Sequence, residues 1–358
     1  MADMNVREQV YFNSDNCFTL REPLGIKALT FTWMPSWWKA NYGIVMDERY
    51  SMDADYRMDA AAAMERFIAG RFPMMRIGNA SAAAAPVPPN WINATTVAAA
   101  GGRVYYSGNH YPTTKPLSLE DIDKLELPEN IESVFPYSET IRQTVYMNEA
   151  HQTGFKPHLF KNSIVNDLVQ LCGDQIMLEM MDETSRFRTL LAYSLGMWKK
   201  TMAFNFAKGS MPPIFMLLNC ATQIIGPKAY EEYFFTHDMN IIRMFYDHQQ
   251  RFMLHHCGHF DHFIPVYRKI PHVDMIQIGF TSDAGKALDA FPEADVEYIF
   301  SPYEVMNSSR EALRKRTLDL LSRIRGEERR FSIVVADLET GVPDENIVEI
   351  YNCCKAFA

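Results

Sequence analysis

From about residue 150 onward the chain alternates short apolar runs with amphipathic stretches, and no other feature restricts its fold as much. The apolar runs fall at 213–219, 251–257, 274–279, 296–300 and 331–337. Runs of this length, bounded by Gly, Pro, Asn or Asp, read as buried strands rather than helices. The stretches between them carry helix punctuation. Ser308 with Glu311 forms a predicted capping box, Leu313, Leu320 and Ile324 follow it, and Gly326 stops the helix. Asp344 is expected to cap a last helix over 345–357, where Ile347, Ile350, Tyr351, Cys354 and Phe357 share an apolar face and Cys353 flanks it. Strand–helix alternation implies parallel strands joined by crossover helices. The expected fold is therefore an α/β one, a TIM-type (β/α)8 barrel with an N-terminal extension. A doubly wound sheet is the alternative, but no Gly-rich phosphate turn follows any of these runs.

The first 150 residues are less regular. A β-like run at 28–33 leads into the aromatic cluster Trp33, Trp37, Trp38 and Tyr42, and a helix is expected over 54–69. Residues 80–102 are small and Pro-rich (Pro86, Pro88, Pro89), which marks a loop or a tightly packed glycine-alanine layer rather than a regular element. Residues 1–150 are thus assigned to the extension and first barrel elements. Residues 151–358 are the remainder of the same barrel, giving a single domain overall.

Charge and composition exclude several functions. The formal net charge is −9, with no basic stripe, which argues against a nucleic-acid partner. No apolar stretch approaches the roughly 18–20 residues of a membrane helix, and Asp3, Arg7 and Glu8 break up the N-terminus where a signal peptide would be apolar. The expected location is the cytoplasm, where the six cysteines would be reduced thiols, buried or ligating.

The densest chemical signal is the run from Leu254 to His262, which holds four of the ten histidines around Cys257. Strand side chains alternate, so His255 and Cys257 should point one way and His256 the other. An imidazole and a thiolate at the C-terminal end of a barrel strand are half of a Zn²⁺ site, placed where barrels build active sites. His256, His259 and His262 are candidates for orienting the ligands or carrying protons.

His255-His256-Cys257-Gly258 resembles the His-x-Cys-Gly element of the uroporphyrinogen decarboxylase superfamily, in particular its zinc-dependent, corrinoid-linked methyltransferases. Residues Leu171 to Met177, Ile225 to Tyr233 and Gly341 to Ile347 resemble further segments of that family in the right order. The resemblance implies a barrel in which His255 and Cys257 bind zinc, and a methyl group passing between a small substrate and a corrinoid held on a partner protein. It implies no catalytic residue that this sequence lets one name.

The chain departs from the family at the last strand, where a second cysteine is expected but 334–341 has none. Asp337, at the end of an apolar run, is the first candidate for the missing ligand, and Cys220, after the run 213–219, the second. A carboxylate ligand would make a harder site, suited to an ether oxygen and hence to O-demethylation of an aryl methyl ether. Trp33, Trp37, Trp38 and Asn219 are candidate substrate contacts, and pairing into a homodimer is the family's habit. Two other readings stand beside this one. A metal-free decarboxylase would need an arginine clamp for carboxylates, and 32–39 has no arginine. A non-catalytic barrel that binds a corrinoid or its carrier is the third reading.

Overall fold

The computed structural model describes residues 17–20 and 24–357. Its centre is a seven-stranded sheet in the order β1-β2-β9-β8-β7-β6-β5. The strands are β1 Cys17–Thr19, β2 Ala28–Trp33, β5 Ile214–Leu218, β6 Arg251–His256, β7 Met275–Ile278, β8 Asp295–Phe300 and β9 Phe331–Leu338. A small separate hairpin pairs β3 (Val104–Tyr105) with β4 (Thr113–Thr114). In the main sheet β1 runs antiparallel to β2, and every other neighbouring pair is parallel. The five apolar runs of the C-terminal half all form strands, and their ends fall within a residue or two of those expected.

The parallel strands are largely buried on both faces, as is usual for parallel sheets in α/β folds. β2 and β7 are buried at every position, and so are the first five residues of β9. Leu254, Ile276, Val296 and Val334 are fully inaccessible, and truncating a side chain such as Leu254 to Ala would cost about 2–5 kcal/mol.

The closed eight-stranded barrel is not observed. Among the described residues, six parallel strands and one antiparallel edge strand form a sheet that stays open between β5 and β1. The reason lies between β2 and β5. There the chain forms helices, the hairpin, and an irregular path over 80–94 where Pro86, Pro88 and Pro89 lack the N–H a ladder needs. Buried Arg57, on the helix Ala54–Arg71, ties this path down: its guanidinium donates to the carbonyls of Val87 (2.8 Å) and Tyr50 (2.9 Å) and to Gln143.

The helix ends also refine the sequence reading. Ser309, not Ser308, caps the helix Arg310–Arg323, accepting from the Ala312 N–H at 3.2 Å. Asp344 starts the helix Asp344–Ala356 but its carboxylate is taken by Arg71. Cys353 is as buried as Cys354, so both belong to the core.

Trp33, Trp37 and Trp38 are also core. Each is at most 1% exposed, and they pack on one another and on Phe18, Phe31, Phe67 and Phe72 at ring separations of 5.0–6.2 Å. The apolar faces of β2 and of the helix Pro35–Tyr42 have no other way to leave water. These indoles therefore do not line an open substrate pocket. Among the described residues no helix is long and apolar enough to cross a membrane.

Candidate metal centre

Cys220, His255 and Cys257 form one cluster at the C-terminal ends of two neighbouring strands. Cys220 follows β5, His255 lies within β6, and Cys257 follows β6. Leu218 pairs with His255 across the ladder, and the Asn219 N–H extends it by donating to the His255 carbonyl at 2.8 Å. The next residue, Cys220, is thereby held beside the imidazole. The possible ligand atoms of the three residues lie within 4.8 Å of one another, and each residue is half-buried. His255 Nε2 is 2.9 Å from Cys220 Sγ.

The two thiols are linked. Cys257 donates to Cys220, and this bond, helped by the amide of Asn166, holds the Cys220 thiol below its ordinary range against the opposing effect of burial. The same bond and burial push the Cys257 thiol well up. Asn166, on the buried face of the helix Ile164–Cys172, also accepts the Ala221 N–H at 2.8 Å, so one side chain fixes both the cysteine and the backbone after it.

The donor set fits zinc. With Zn–S near 2.3 Å and Zn–N near 2.0–2.1 Å, tetrahedral ligation needs N and S about 3.6 Å apart. The observed 2.9 Å between Nε2 and Sγ asks only for a small spreading of two side chains. Three protein ligands leave a fourth position, as in catalytic rather than structural zinc sites.

Glycines bring the supporting backbone close. A Cβ on Gly279 would lie 2.0 Å from the Cys257 carbonyl oxygen and 2.4 Å from that of Gly258. A Cβ on Gly258 would meet the Gln223 side chain at 1.9 Å.

His256 faces away from the cluster, as strand alternation demands. It is fully buried against Phe260, Phe263 and Tyr267, with Nδ1 3.2 Å from Thr222 Oγ1 and 3.1 Å from the Tyr267 hydroxyl. Burial lowers its pKa to about 3, so it is neutral and structural. His259 bonds the Thr281 carbonyl at 2.9 Å and lies against exposed His262, their rings tilted 54° at 4.4 Å; His262 belongs to the 3-10 turn Phe260–Phe263 that follows the cluster.

The remaining candidates lie elsewhere. Asp337 is exposed, three strands away on β9, at a register shift where its backbone takes a φ of 56° and its N–H goes to Thr32 Oγ1 at 2.9 Å. The structure brings Cys220, not Asp337, to His255 and Cys257, because β5 is the ladder neighbour of β6 and β9 is not. Asn219 is fully buried and donates to the Tyr230 hydroxyl and Asp238 (both 3.2 Å), away from any solvent-reached substrate. Two surface clefts, one beside Arg103, Tyr105 and Lys115 and one beside Phe280, Lys286 and Arg316, do not include the cluster.

Sequence reasoning missed Gln277 and Glu297. Gln277 hydrogen-bonds His255 Nδ1 and passes the contact on to Glu297. Their one signal is a polar residue in the middle of an otherwise apolar buried strand. Asn166 was missed too, being one of several polar residues on a helix.

No protein-family model matches this chain, and no curated protein matches it in sequence. Among solved structures it is similar to a methyltransferase from Methanosarcina mazei, with a TM-score of 0.61 at 11% identity over 95% of this chain and 94% of that one. At that identity the likeness is one of fold: a mixed α/β protein of TIM-like architecture, here with an open sheet.

Proposed function

We propose that this chain is a zinc-dependent methyltransferase that moves a methyl group between a small substrate and a corrinoid carried by a partner protein. The observation that carries this reading is the convergence of Cys220, His255 and Cys257 at the strand ends of a fold shared with a methyltransferase. Zinc bound there would supply a Lewis acid that lets a thiol give up its proton near neutral pH. Two thiolates and a neutral imidazole would balance the charge of the ion. Asn166 holds Cys220 in place, and the Gly258 and Gly279 backbones hold Cys257.

The donor set bears on the substrate. The oxygen ligand that favoured an aryl ether is replaced by a second sulfur, and a soft site of this kind suits a thiol. Transfer to a thiol forms an S–CH3 bond as the Co–CH3 bond breaks, with the electron pair left on cobalt and the thiol proton released.

The test is metal analysis followed by a transfer assay with methylcobalamin and a panel of small thiols and aryl methyl ethers. The reading expects about one zinc per chain, lost in Cys257→Ala, and demethylation of methylcobalamin by a thiol. Protein purified without chelator that holds no zinc and takes up none would overturn it.

A further inference from the structure

We infer that Gln277 and Glu297 are positioning residues that fix the tautomer of His255, so that its Nε2 lone pair faces the two cysteines. The row is set by strand register. His255 on β6 pairs with Gln277 on β7, and Gln277 pairs with Glu297 on β8. Directly paired residues of neighbouring parallel strands share a face and lie roughly 4.8 Å apart, within reach of one another's side chains.

Both added residues are costly where they are. Gln277 is 2% exposed and Glu297 is inaccessible, in strands whose other buried positions are Met, Ile, Val, Tyr and Phe. An amide or a carboxylate in that setting destabilises the fold unless it is hydrogen-bonded, and an apolar residue would pack there without that demand. Such a break in an apolar pattern is where a functional constraint is expected.

The directions of the hydrogen bonds follow from chemistry. The structure turns the Gln277 NH2 toward Glu297, whose carboxyl oxygen Oε1 accepts from it. Its carbonyl oxygen then faces His255 Nδ1, and that oxygen can only accept. Nδ1 therefore carries the hydrogen and Nε2 the lone pair. Nε2 is the atom that lies 2.9 Å from Cys220 Sγ. A carboxyl two strands away thus fixes a ligand atom.

The tautomer follows from the geometry alone; its use in metal binding rests on the reading of Cys220, His255 and Cys257 as a zinc centre. The experiment separates the two. Histidine labelled with 15N reports the tautomer by NMR in zinc-free protein, the His255 signal being assigned by its loss in His255→Ala. A single Nδ1–H tautomer is expected in the wild type, and a mixture in Glu297→Gln, where a second amide can let Gln277 flip. Gln277→Leu, which keeps the volume and removes the relay, should show the same mixture. In both variants zinc affinity, read by competition with a chromophoric chelator, should fall about 10–100-fold, the usual effect of losing a group behind a metal ligand. An unchanged tautomer in both variants overturns the inference. Loss of the tautomer in protein that never binds zinc upholds the positioning role and removes the metal reading instead.

Discussion

Cys220 and His255 stand 35 residues apart in the chain, and their Sγ and Nε2 atoms stand 2.9 Å apart in space. Neither residue is informative alone. The pairing of β5 with β6 makes them one site, and it also decides the ligand set. Cys220→Ala should lower zinc affinity by more than the 10–100-fold expected for a group behind a ligand, whereas Asp337→Asn should leave it unchanged. Zinc content after dialysis, with chelator competition, distinguishes the two. The opposite ranking would return Asp337 to the site.

Gly279 supports the same site through its missing side chain. Gly279→Ala would place a methyl group 2.0 Å from the Cys257 carbonyl, so the backbone carrying that cysteine must move. The expected outcome is a lower melting temperature together with weaker zinc binding, while Gly70→Ala, within the helix Ala54–Arg71 and with nothing within 4 Å of its Cβ, should leave zinc binding unchanged and raise the melting temperature slightly. A calorimetric scan with and without added zinc checks both.

Much of the fold was legible because buried parallel strands are continuous apolar runs with abrupt ends, as at 251–257 and 331–337. Barrel closure was not legible. The alternation says how strands connect, whereas closure depends on which segment reaches the last edge, and the Pro-rich path over 80–94 does not. At the site, two-residue alternation was enough to pair His255 with Cys257 and to turn His256 into the core. The third ligand depended on strand order, which sequence does not carry, so the strand-end aspartate Asp337 was preferred to the strand-end cysteine Cys220. Gln277 and Glu297 were hidden for the same reason, since each matters only through its ladder partners.

Asp238 gives the fold a distinct response to pH. It is buried, accepting from the Tyr230 hydroxyl at 2.7 Å, and burial raises its pKa from 3.8 to about 6 despite bonds from Tyr230 and Asn219. A carboxyl whose folded pKa is raised contributes its full stability below the unfolded value and loses it as pH rises through the folded value. Relative to Asp238→Asn, the wild type should therefore lose on the order of 3 kcal/mol of stability between pH 4 and 7. Urea unfolding of both proteins at several pH values measures this. A difference that stays constant with pH would show that Asp238 does not titrate there.

Lys161 and Asp167 form an ion pair that is almost wholly inaccessible, with Thr96 and Ser194 each donating to the carboxylate at 2.6 Å. Asp167 neighbours Asn166, so this pair anchors the helix that steadies Cys220. Lys161→Met alone should destabilise the protein by about 3–5 kcal/mol, because it strands a buried charge. The double change Lys161→Met with Asp167→Leu should cost less than the single one. Denaturant titration of both variants decides it, and equal or larger loss in the double variant would contradict the argument.

The tryptophan cluster has an optical consequence. All five indoles of the chain, Trp33, Trp37, Trp38, Trp91 and Trp198, are at most 4% exposed. An indole shielded from water emits at shorter wavelength, so the native protein should fluoresce in the blue part of the tryptophan range. Its intrinsic emission is thereby a gauge of whether the interior is intact, and a ligand arriving at Cys257 has to be followed by a different signal.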